Sequence, residues 1–203
     1  MKSRLKCAKK EEGRKEMIYR PIVLDKEIQY SSKKFIVSKT DKEGNILFVN
    51  ENFCEISGYT EKELMGVPHN VLRHPDMPKA IFYMMWKSLL AGMEISAIVK
   101  NLAKSGEYYW VIADFSMQRD TYGKIETLTS FKRIAPSFVS ETIETLYQEM
   151  IVAEKRSGIE GSLVCLERFL EEREMSYNDF LEDLVEPKGM LNLLIQNFKK
   201  VLS

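Results

Sequence analysis

Residues 94–134, EISAIVKNLAKSGEYYWVIADFSMQRDTYGKIETLTSFKRI, contain three stretches that are rich in β-branched and aromatic side chains. The stretches cover 94–102, 108–118 and 125–134, and the segments between them, AKSGE and RDTYGK, are short and contain glycine. Such stretches with such connections are typical of neighbouring strands joined by hairpin turns. The sequence therefore predicts a three-stranded antiparallel meander.

Two more strands are predicted ahead of the meander, FIVSKTD at 35–41 and ILFVN at 46–50, with a turn at Gly44 between them. Short helical patterns follow, one of which starts with Thr60 and Glu63 at the spacing of a capping box. Two strands, several short helices and three further strands predict an α+β fold: a five-stranded antiparallel sheet with short helices on one face. A cavity is expected between the two layers.

Composition divides the chain into three parts. Residues 1–33 are predicted to be a basic N-terminal arm and cap, 34–135 the α+β domain, and 136–203 a helical C-terminal region, so that helices flank the domain. Within the last part, 141–151 and 190–202 each place apolar residues on one helical face. These faces either bind a partner, form the contact of a homodimer, or pack back on the sheet of the same chain.

Charge and hydropathy exclude several classes of protein. The 30 basic and 30 acidic residues cancel, and the helix-turn-helix rhythm at 166–184 is too acidic to contact phosphates, so no nucleic acid partner is expected. No run of 18 apolar residues occurs, and the basic start lacks the apolar core of a signal peptide. We expect a cytoplasmic chain without direct membrane insertion, which a partner could recruit to the inner face of the membrane.

The motifs of common enzymes are absent from the sequence. There is no GxSxG, HExxH or GxxxxGK[ST], and Cys7, Cys54 and Cys165 are too widely spaced for a metal site or a disulfide framework. The sequence predicts a protein that is not an enzyme and has no catalytic residues. The segment 66–86, GVPHNVLRHPDMPKAIFYMMW, nevertheless collects both histidines and three of the six prolines, which is typical of a ligand site or a reacting centre.

Residues 35–135 resemble the PAS domain of the bacterial aerotaxis (Aer-type) receptors. The matching motifs are N-x-x-F-x-x-x-S-G-Y from Asn50, G-x-P-H-N-x-x-R-H-P-D-M-P from Gly66, a helix ending in M-W, the V-K-N and Y-W-V strands, and the FKR exit. The resemblance implies a PAS fold that binds FAD. Carried over by motif, the candidate contacts are Asn50, Arg73, His74, Asp76, Trp86, Asn101 and Trp110.

The same resemblance implies a sensor of redox state or cellular energy that serves aerotaxis. The transmembrane and signalling segments of the family have no counterpart in 136–203. We therefore expect a PAS protein that signals by protein–protein contact to a separate methyl-accepting membrane transducer of chemotaxis, with a homodimer as an open possibility.

The candidate residues have the chemistry that FAD requires. A flat tricyclic ring and a diphosphate need apolar walls, hydrogen bonds along the ring edge and cations. Trp86 and Trp110 can wall the ring, and Asn50 and Asn101 can donate and accept along its edge. Arg73 can pair with phosphate, and His74 adds a donor.

Each assignment has a structural alternative. Trp86 and Trp110 could be core aromatics, Asn50 could cap the helix that starts at Glu51, and Asp76 could belong to a turn. Arg73 could form a surface ion pair. These alternatives stay open on the sequence alone.

Other occupants of the cavity give further alternatives. Haem is one, with His74 or His69 as the iron ligand, and a PAS interaction scaffold without a cofactor is another. The light-sensing flavin members of the superfamily need a cysteine beside the ring, but the corresponding place, aligned on Gly66, holds His69. Cys54 lies upstream on a predicted helix, so no thiol adduct is expected.

Overall fold

The computed structural model describes residues 20–185, and within them the chain forms the predicted five-stranded antiparallel sheet. Its strands, in the spatial order β2-β1-β5-β4-β3, are β1 (Ile36–Asp41), β2 (Ile46–Val49), β3 (Ile95–Leu102), β4 (Tyr108–Arg119) and β5 (Ile125–Ile134). All five lie where the sequence places them, because apolar side chains with a period of two and glycine-containing turns are strong local signals. The predicted α+β fold class is confirmed.

The helices follow the strands in chain order. They are α1 (Glu51–Ser57), α2 (Glu61–Leu64), a 3₁₀ helix (His69–Leu72), α3 (Lys79–Leu90), α4 (Ser137–Glu171) and α5 (Tyr177–Val185). Of the flanking helices, α4 and α5 supply the C-terminal ones, residues 20–35 contain none, and residues 1–19 lie outside the described part. Residues 26–28 instead extend alongside the start of β4, where Ile28 N–H donates to the carbonyl of Tyr108 at 2.8 Å.

The short helices begin and end at local signals. The predicted capping box is present at α2, where Glu63 N–H donates to Thr60 Oγ1 and the Glu63 carboxylate accepts from Thr60 N–H at 2.9 Å. Helix α1 ends at Gly58, whose φ of 72° is the left-handed conformation that glycine adopts without strain. These signals fix how the chain leaves β2 and reaches the cavity.

The sheet has two buried faces on its β3 and β4 side. Alternation along β3 and β4 puts Val99 and Asn101 on the inner face, towards the short helices, and Lys100 with its cross-strand partner Trp110 on the outer face. Helix α4 packs against that outer face, since the Tyr147 ring lies 6.2 Å from the Trp110 ring. Because α4 buries the outer face as well, these strands carry apolar side chains on both faces.

Helix α4 also covers the free edge of the sheet. Tyr147 donates its hydroxyl to the carbonyl of Ile98 on edge strand β3 at 2.7 Å. The apolar face predicted at 141–151 is buried here, with Ile143 and Met150 in the core, so it packs back on its own domain and is not open to a partner. The second predicted face, 190–202, lies outside the described residues.

Helix α4 is interrupted between the two helices that the sequence predicts in this region. Ser157 and Gly158 have non-helical φ and ψ, and the φ of Gly158 is 70°. Helix α5 then begins at a second capping box, in which Ser176 Oγ accepts from Asp179 N–H at 3.2 Å. Among residues 20–185, no helix has the length and apolarity needed to cross a membrane.

Candidate functional site

A cavity of about 300 Å³ lies between the inner face of the sheet and the segment from the 3₁₀ helix to α3. Its volume is at the lower end of the range for small-molecule sites, roughly 300–1,000 Å³. Apolar side chains form one part of its wall: Phe82, Met85, Trp86, Leu89, Val99, Phe115 and Leu128. Polar and charged side chains form another part: Ser38, Thr40, Glu43, His69, Asn70, Arg73, Asn101, Thr129, Ser130 and Lys132.

Three of the seven predicted site residues line this cavity. Asn101 comes from the inner face of β3, Trp86 from α3, and Arg73 from the segment that joins the 3₁₀ helix to α3. Arg73 and Asn101 are brought together by an isolated antiparallel bridge between their backbones. The RHPDMP segment therefore lies along β3, and this pairing positions both side chains at one side of the cavity.

Asn101 has an unsatisfied hydrogen-bonding group. Its side chain is 3% exposed, and within the described chain its amide nitrogen has no hydrogen-bond partner. Leaving a buried donor unpaired costs about 1–3 kcal/mol, so such groups are normally satisfied by protein, water or ligand. Asn101 is therefore a candidate ligand contact.

Arg73 supplies a cation at the same side. Its guanidinium donates to the carbonyl of Met77 at 2.7 Å and lies over the Phe82 ring, 5.1 Å from the centroid. Burial, and a smaller repulsion from Arg20, lower its pKa against the attraction of Glu154. The side chain remains a half-buried cation held in place by the segment that it belongs to.

Trp86 forms a flat apolar wall. Its indole reaches the turn between β1 and β2, where a Cβ on Gly44 would lie 3.6 Å from the ring. Gly44 has a φ of 86°, so the turn needs glycine for its backbone as well as for this approach. The indole thus closes the cavity against the hairpin.

The other four predicted residues do not line this cavity. Asn50 is the N-cap of α1: its side-chain oxygen accepts from Phe53 N–H and Val37 N–H, both at 3.0 Å, and its amide donates to the Phe35 carbonyl at 2.9 Å. Its hydrogen-bonding groups are occupied by backbone. The capping alternative describes Asn50.

His74 and Asp76 lie on the outer side of β3. Asp76 Oδ2 is 3.5 Å from both His74 Nδ1 and the ammonium of Lys100, which also donates to Glu144 of α4 at 2.7 Å. The His74 ring, 2% exposed, packs edge-on against Tyr108. Because consecutive residues of an extended segment point in opposite directions, Arg73 faces the cavity while His74 faces this cluster.

Trp110 also lies on the outer face. The strand register pairs it with Lys100, whose ammonium is 5.3 Å from the indole, and Tyr147 of α4 covers it. Trp110 is thus a core aromatic between sheet and α4. Alternation identifies which residues of β4 share a face, but it does not identify which face carries the cavity.

Sequence reasoning missed the polar side of the cavity on β1 and β5. Ser38 and Ser130 are cross-strand partners, and Lys132 follows on β5 at the next inward position. The hydroxyl of Ser130 is buried and, within residues 20–185, has no hydrogen-bond partner. The available signal was the alternation itself, since Ser38 shares a face with Ile36, and polar residues at such positions point into a core or a cavity.

A hydrogen-bonded chain connects Lys132 to His69. The ammonium of Lys132 donates to Ser38 Oγ at 2.8 Å, and Ser38 Oγ lies 3.1 Å from His69 Nε2. Because an ammonium only donates, the Ser38 hydroxyl proton is free to be donated to Nε2. Burial, reinforced by repulsion from Lys132, lowers the pKa of His69 to about 3, so the imidazole is neutral at neutral pH.

The donor set fits a flavin better than a haem. Flat apolar walls, an unpaired amide and two cations match a planar ring with carbonyl and nitrogen atoms on its edge. The His74 side chain faces away from the cavity, and His69 Nε2 is hydrogen-bonded to Ser38. Neither imidazole is therefore positioned to bind iron in the cavity. No group of three or more His, Cys, Asp or Glu side chains suited to a metal occurs in the described chain.

Comparison with known proteins identifies the domain. Residues 46–131 match the family described as PAS fold. The chain is 38% identical over 145 residues to the aerotaxis receptor of Escherichia coli K12, which covers 71% of this chain and 28% of that protein. It is 26% identical over 140 residues to the biofilm dispersion protein BdlA of Pseudomonas aeruginosa, which covers 68% of this chain and 32% of that protein.

Solved structures give a more distant likeness. One is a light-oxygen-voltage domain studied with a flavin analogue, which is 17% identical with a TM-score of 0.49 and covers 57% of this chain and 86% of that one. This chain thus corresponds to less than a third of the length of the two curated relatives. The five-stranded sheet and the matched segment show that this chain carries a PAS domain, and that domain is related to the aerotaxis receptors.

Proposed function

We propose that this chain is an FAD-binding PAS sensor of redox state that serves aerotaxis or energy taxis. The observation that carries the proposal is the meeting of Arg73, Trp86 and Asn101 in one cavity, in a domain related to the aerotaxis receptor. Asn101 offers an unpaired amide, Trp86 a flat wall, and Arg73 a cation. These are three groups that a flavin nucleotide requires.

Arg73 and Arg20 would hold the diphosphate. Arg73 lines the cavity, and Arg20 donates to the Asn70 carbonyl at 3.1 Å close by. Two guanidinium groups on one side of the cavity would favour an occupant whose tail carries negative charge. The cavity volume suits the ring system, which leaves the dinucleotide tail at this basic edge.

Bound FAD would supply reversible electron transfer, and the protein residues would report its state. Reduction changes which ring-edge atoms donate and accept, and Asn101 is a wall residue whose buried amide has no partner within the described residues and can respond. We do not expect turnover with NAD(P)H, because the chain lacks the motifs of a nicotinamide site. A substrate-specific turnover rate would contradict this.

The uncovered part of the sheet would carry the signal to a partner. Phe48 of β2 and Phe131 of β5 are 46% and 47% exposed, and strand register puts both on the outer face, away from the part that α4 covers. Exposed aromatic side chains on a sheet favour a protein contact. We infer that the partner is a methyl-accepting membrane transducer and that this contact brings a cytoplasmic chain to the membrane.

The absorption spectrum of purified protein tests the cofactor. Paired bands of oxidised flavin that bleach with dithionite, together with FAD identified after denaturation, are expected. A sharp Soret band would indicate haem, and a colourless protein that fails to bind added FAD would indicate a scaffold.

The partner contact has a separate test. Purified protein immobilised on beads should capture a methyl-accepting transducer, identified by mass spectrometry, from detergent-solubilised membranes of its host. A Phe131→Glu variant should lose the capture while it keeps its FAD content. Equal capture by both proteins would remove the uncovered sheet as the contact, and light scattering on the same samples would detect a homodimer through this face.

A further inference from the structure

The β5 side of the cavity contains a buried lysine that has no counter-charge among residues 20–185. Lys132 is 3% exposed, its ammonium donates to Ser38 Oγ at 2.8 Å, and it lies 5.3 Å from the centroid of the Phe53 ring. No carboxylate of residues 20–185 lies within 4.0 Å of this ammonium. Burial of a charge is costly unless the charge is paired, so its location in the wall of a cavity needs a reason.

The second buried lysine of the sheet shows how the fold pairs such a group. Lys100, on the outer face, contacts the carboxylates of Glu144 and Asp76 and lies over the Tyr108 ring at 4.2 Å. Burial opposes its charge, yet these carboxylates leave its pKa raised, whereas burial alone lowers the pKa of Lys132 to about 7. The lysine that packs α4 is neutralised, and the lysine that faces the cavity is not.

Hydrogen-bond donors are in excess at this side of the cavity. An ammonium has three N–H groups, and Ser38 accepts one of them. Ser38 in turn lies against His69, and the neighbouring Ser130 hydroxyl has no partner within the described chain. Within residues 20–185, two of the three ammonium N–H groups of Lys132 therefore have no hydrogen-bond acceptor.

We propose that Lys132 is a ligand-binding residue, and that its ammonium pairs with an anionic or strongly accepting edge of a planar ring that occupies the cavity. The hydrogen bond to Ser38 fixes the position of the Lys132 ammonium. Its other two N–H groups are therefore already in place to bind a ligand in the cavity. The FAD form of this proposal rests on the proposed function, because a flavin ring has carbonyl and nitrogen acceptors along one edge. The requirement for an acceptor at this place rests on Lys132 alone.

Replacing a ligand-binding lysine and replacing a structural lysine have opposite effects on the stability of the ligand-free protein. Replacing Lys132 by methionine removes the unpaired charge and keeps the length of the side chain, which relieves a cost of folding. The same change removes a contact to the ligand. We therefore expect the ligand-free variant to be more stable and its complex to be weaker, an opposition that is typical of residues held for function.

The experiment uses the full chain freed of ligand, with FAD as the probe. Lys132→Met should raise the thermal midpoint of the ligand-free protein and weaken FAD binding at least tenfold by fluorescence titration, whereas Lys132→Arg should keep most of the affinity. Lys39→Met is the matched control, because Lys39 lies on the outer face of β1 and donates to Gln118. It should change neither quantity.

The bound form gives an independent readout. Dithionite reduction adds two electrons and one proton to the ring, which gains one negative charge, so Lys132→Met should lower the midpoint potential of bound FAD. A Lys132→Met protein that is less stable without ligand and binds FAD with unchanged affinity would show a structural lysine and overturn the proposal.

Failure of the FAD assignment can be told apart from failure of the lysine assignment. If the wild-type chain binds no FAD, the flavin sensor is wrong, and the stability comparison then decides the role of Lys132. A stabilised Lys132→Met variant would keep it as a binding residue for another planar acceptor, and a destabilised one would exclude it.

Discussion

At the scale of single residues, two asparagines of this chain have opposite situations. Asn50 has all its hydrogen bonds to backbone, and Asn101 has a buried amide without a partner in the described chain. Asn50→Ala should lower the free energy of unfolding by about 1–2 kcal/mol, the usual cost of losing an N-cap, and leave FAD affinity unchanged. Urea unfolding and FAD titration measure the two effects.

The comparison variant is Asn101→Leu, which removes an unpaired buried amide. It should weaken FAD binding by about tenfold, the value of one hydrogen bond of about 1.4 kcal/mol, and should not destabilise the ligand-free protein. Loss of FAD affinity on replacement of Asn50 but not of Asn101 would reverse the assignment that the geometry gives to these two residues.

His69 makes the stability of the protein sensitive to acid. Its folded pKa of about 3 lies below the ordinary value of 6.5, so the unfolded state binds more protons between these pH values and stability falls as the pH falls. Between pH 7 and pH 5 this amounts to about 2 kcal/mol, since each unit of pKa difference is worth about 1.4 kcal/mol. Urea unfolding should show that loss in the wild-type protein and a correspondingly smaller loss in His69→Gln.

The other histidine provides the control. The pKa of His74 is also lowered, mainly by burial, so the comparison is repeated in a His74→Gln background. The difference attributable to His69 should stay near 2 kcal/mol there. An equal loss with and without His69 would mean that its imidazole is protonated in the folded protein.

At the scale of elements, the strands and short helices could be predicted, but the partners of each face could not. The run YYWVIA of β4 is apolar on both sides because inner residues meet the cavity layer and outer residues such as Trp110 meet α4. A strand that is buried on both faces gives no sign of which face is which. For this reason the sequence predicts Trp110 and Trp86 in the same site, although the two indoles lie on opposite faces of the sheet.

Hydrogen bonds between charged side chains and distant elements could not be predicted from the sequence either. Helix α3 has Pro78 as its N-cap and no acidic residue in its first turn, yet its Lys79 N–H donates to Glu154 of α4 at 2.7 Å. The two residues are 75 positions apart. Local capping signals cannot identify such a cap. The boxes at α2 and α5, whose two residues are three positions apart, could be identified.

The cap from Glu154 predicts a link between α4 and the cavity. Glu154→Gln should lower the free energy of unfolding by about 0.5–2 kcal/mol, because a charged acceptor at a helix N-terminus is lost. It should also weaken FAD binding a few-fold, since α3 carries Trp86. Glu160→Gln, an exposed site on the same helix, should leave both quantities unchanged, and similar losses in both variants would show a general charge effect.

At the scale of the whole molecule, β3 lies between the cavity and helix α4, and its successive residues contact one and then the other. Val99 and Asn101 line the cavity. Ile98 and Lys100, which alternate with them along the strand, contact Tyr147 and Glu144 of α4. A small rotation or shift of β3 at the cavity therefore changes the contacts that Ile98 and Lys100 make with α4. This geometry, which depends on packing across the sheet, is the part of the candidate site that sequence patterns could not supply.

The same geometry gives a prediction about signalling, which rests on the proposed FAD site. Reduction of the bound cofactor should alter amide hydrogen exchange in β3 and in residues 137–156 of α4, because Asn101 and Lys100 are consecutive on one strand. Exchange measured by mass spectrometry, on oxidised protein and on dithionite-reduced protein under anaerobic conditions, should show a difference at both places. A change confined to the cavity wall would mean that α4 is a passive cover.

A double variant isolates the connection. Glu144→Gln with Tyr147→Phe removes the ion pair and the hydroxyl hydrogen bond that join α4 to β3. The redox-dependent difference should therefore persist in β3 and fall in α4, while the FAD content stays the same. Tyr122→Phe with Glu160→Gln makes matched changes at exposed sites and should behave as wild type. If the α4 response survives in the first double variant, the signal leaves the cavity by another route, and the uncovered β1, β2 and β5 surface becomes the element to test.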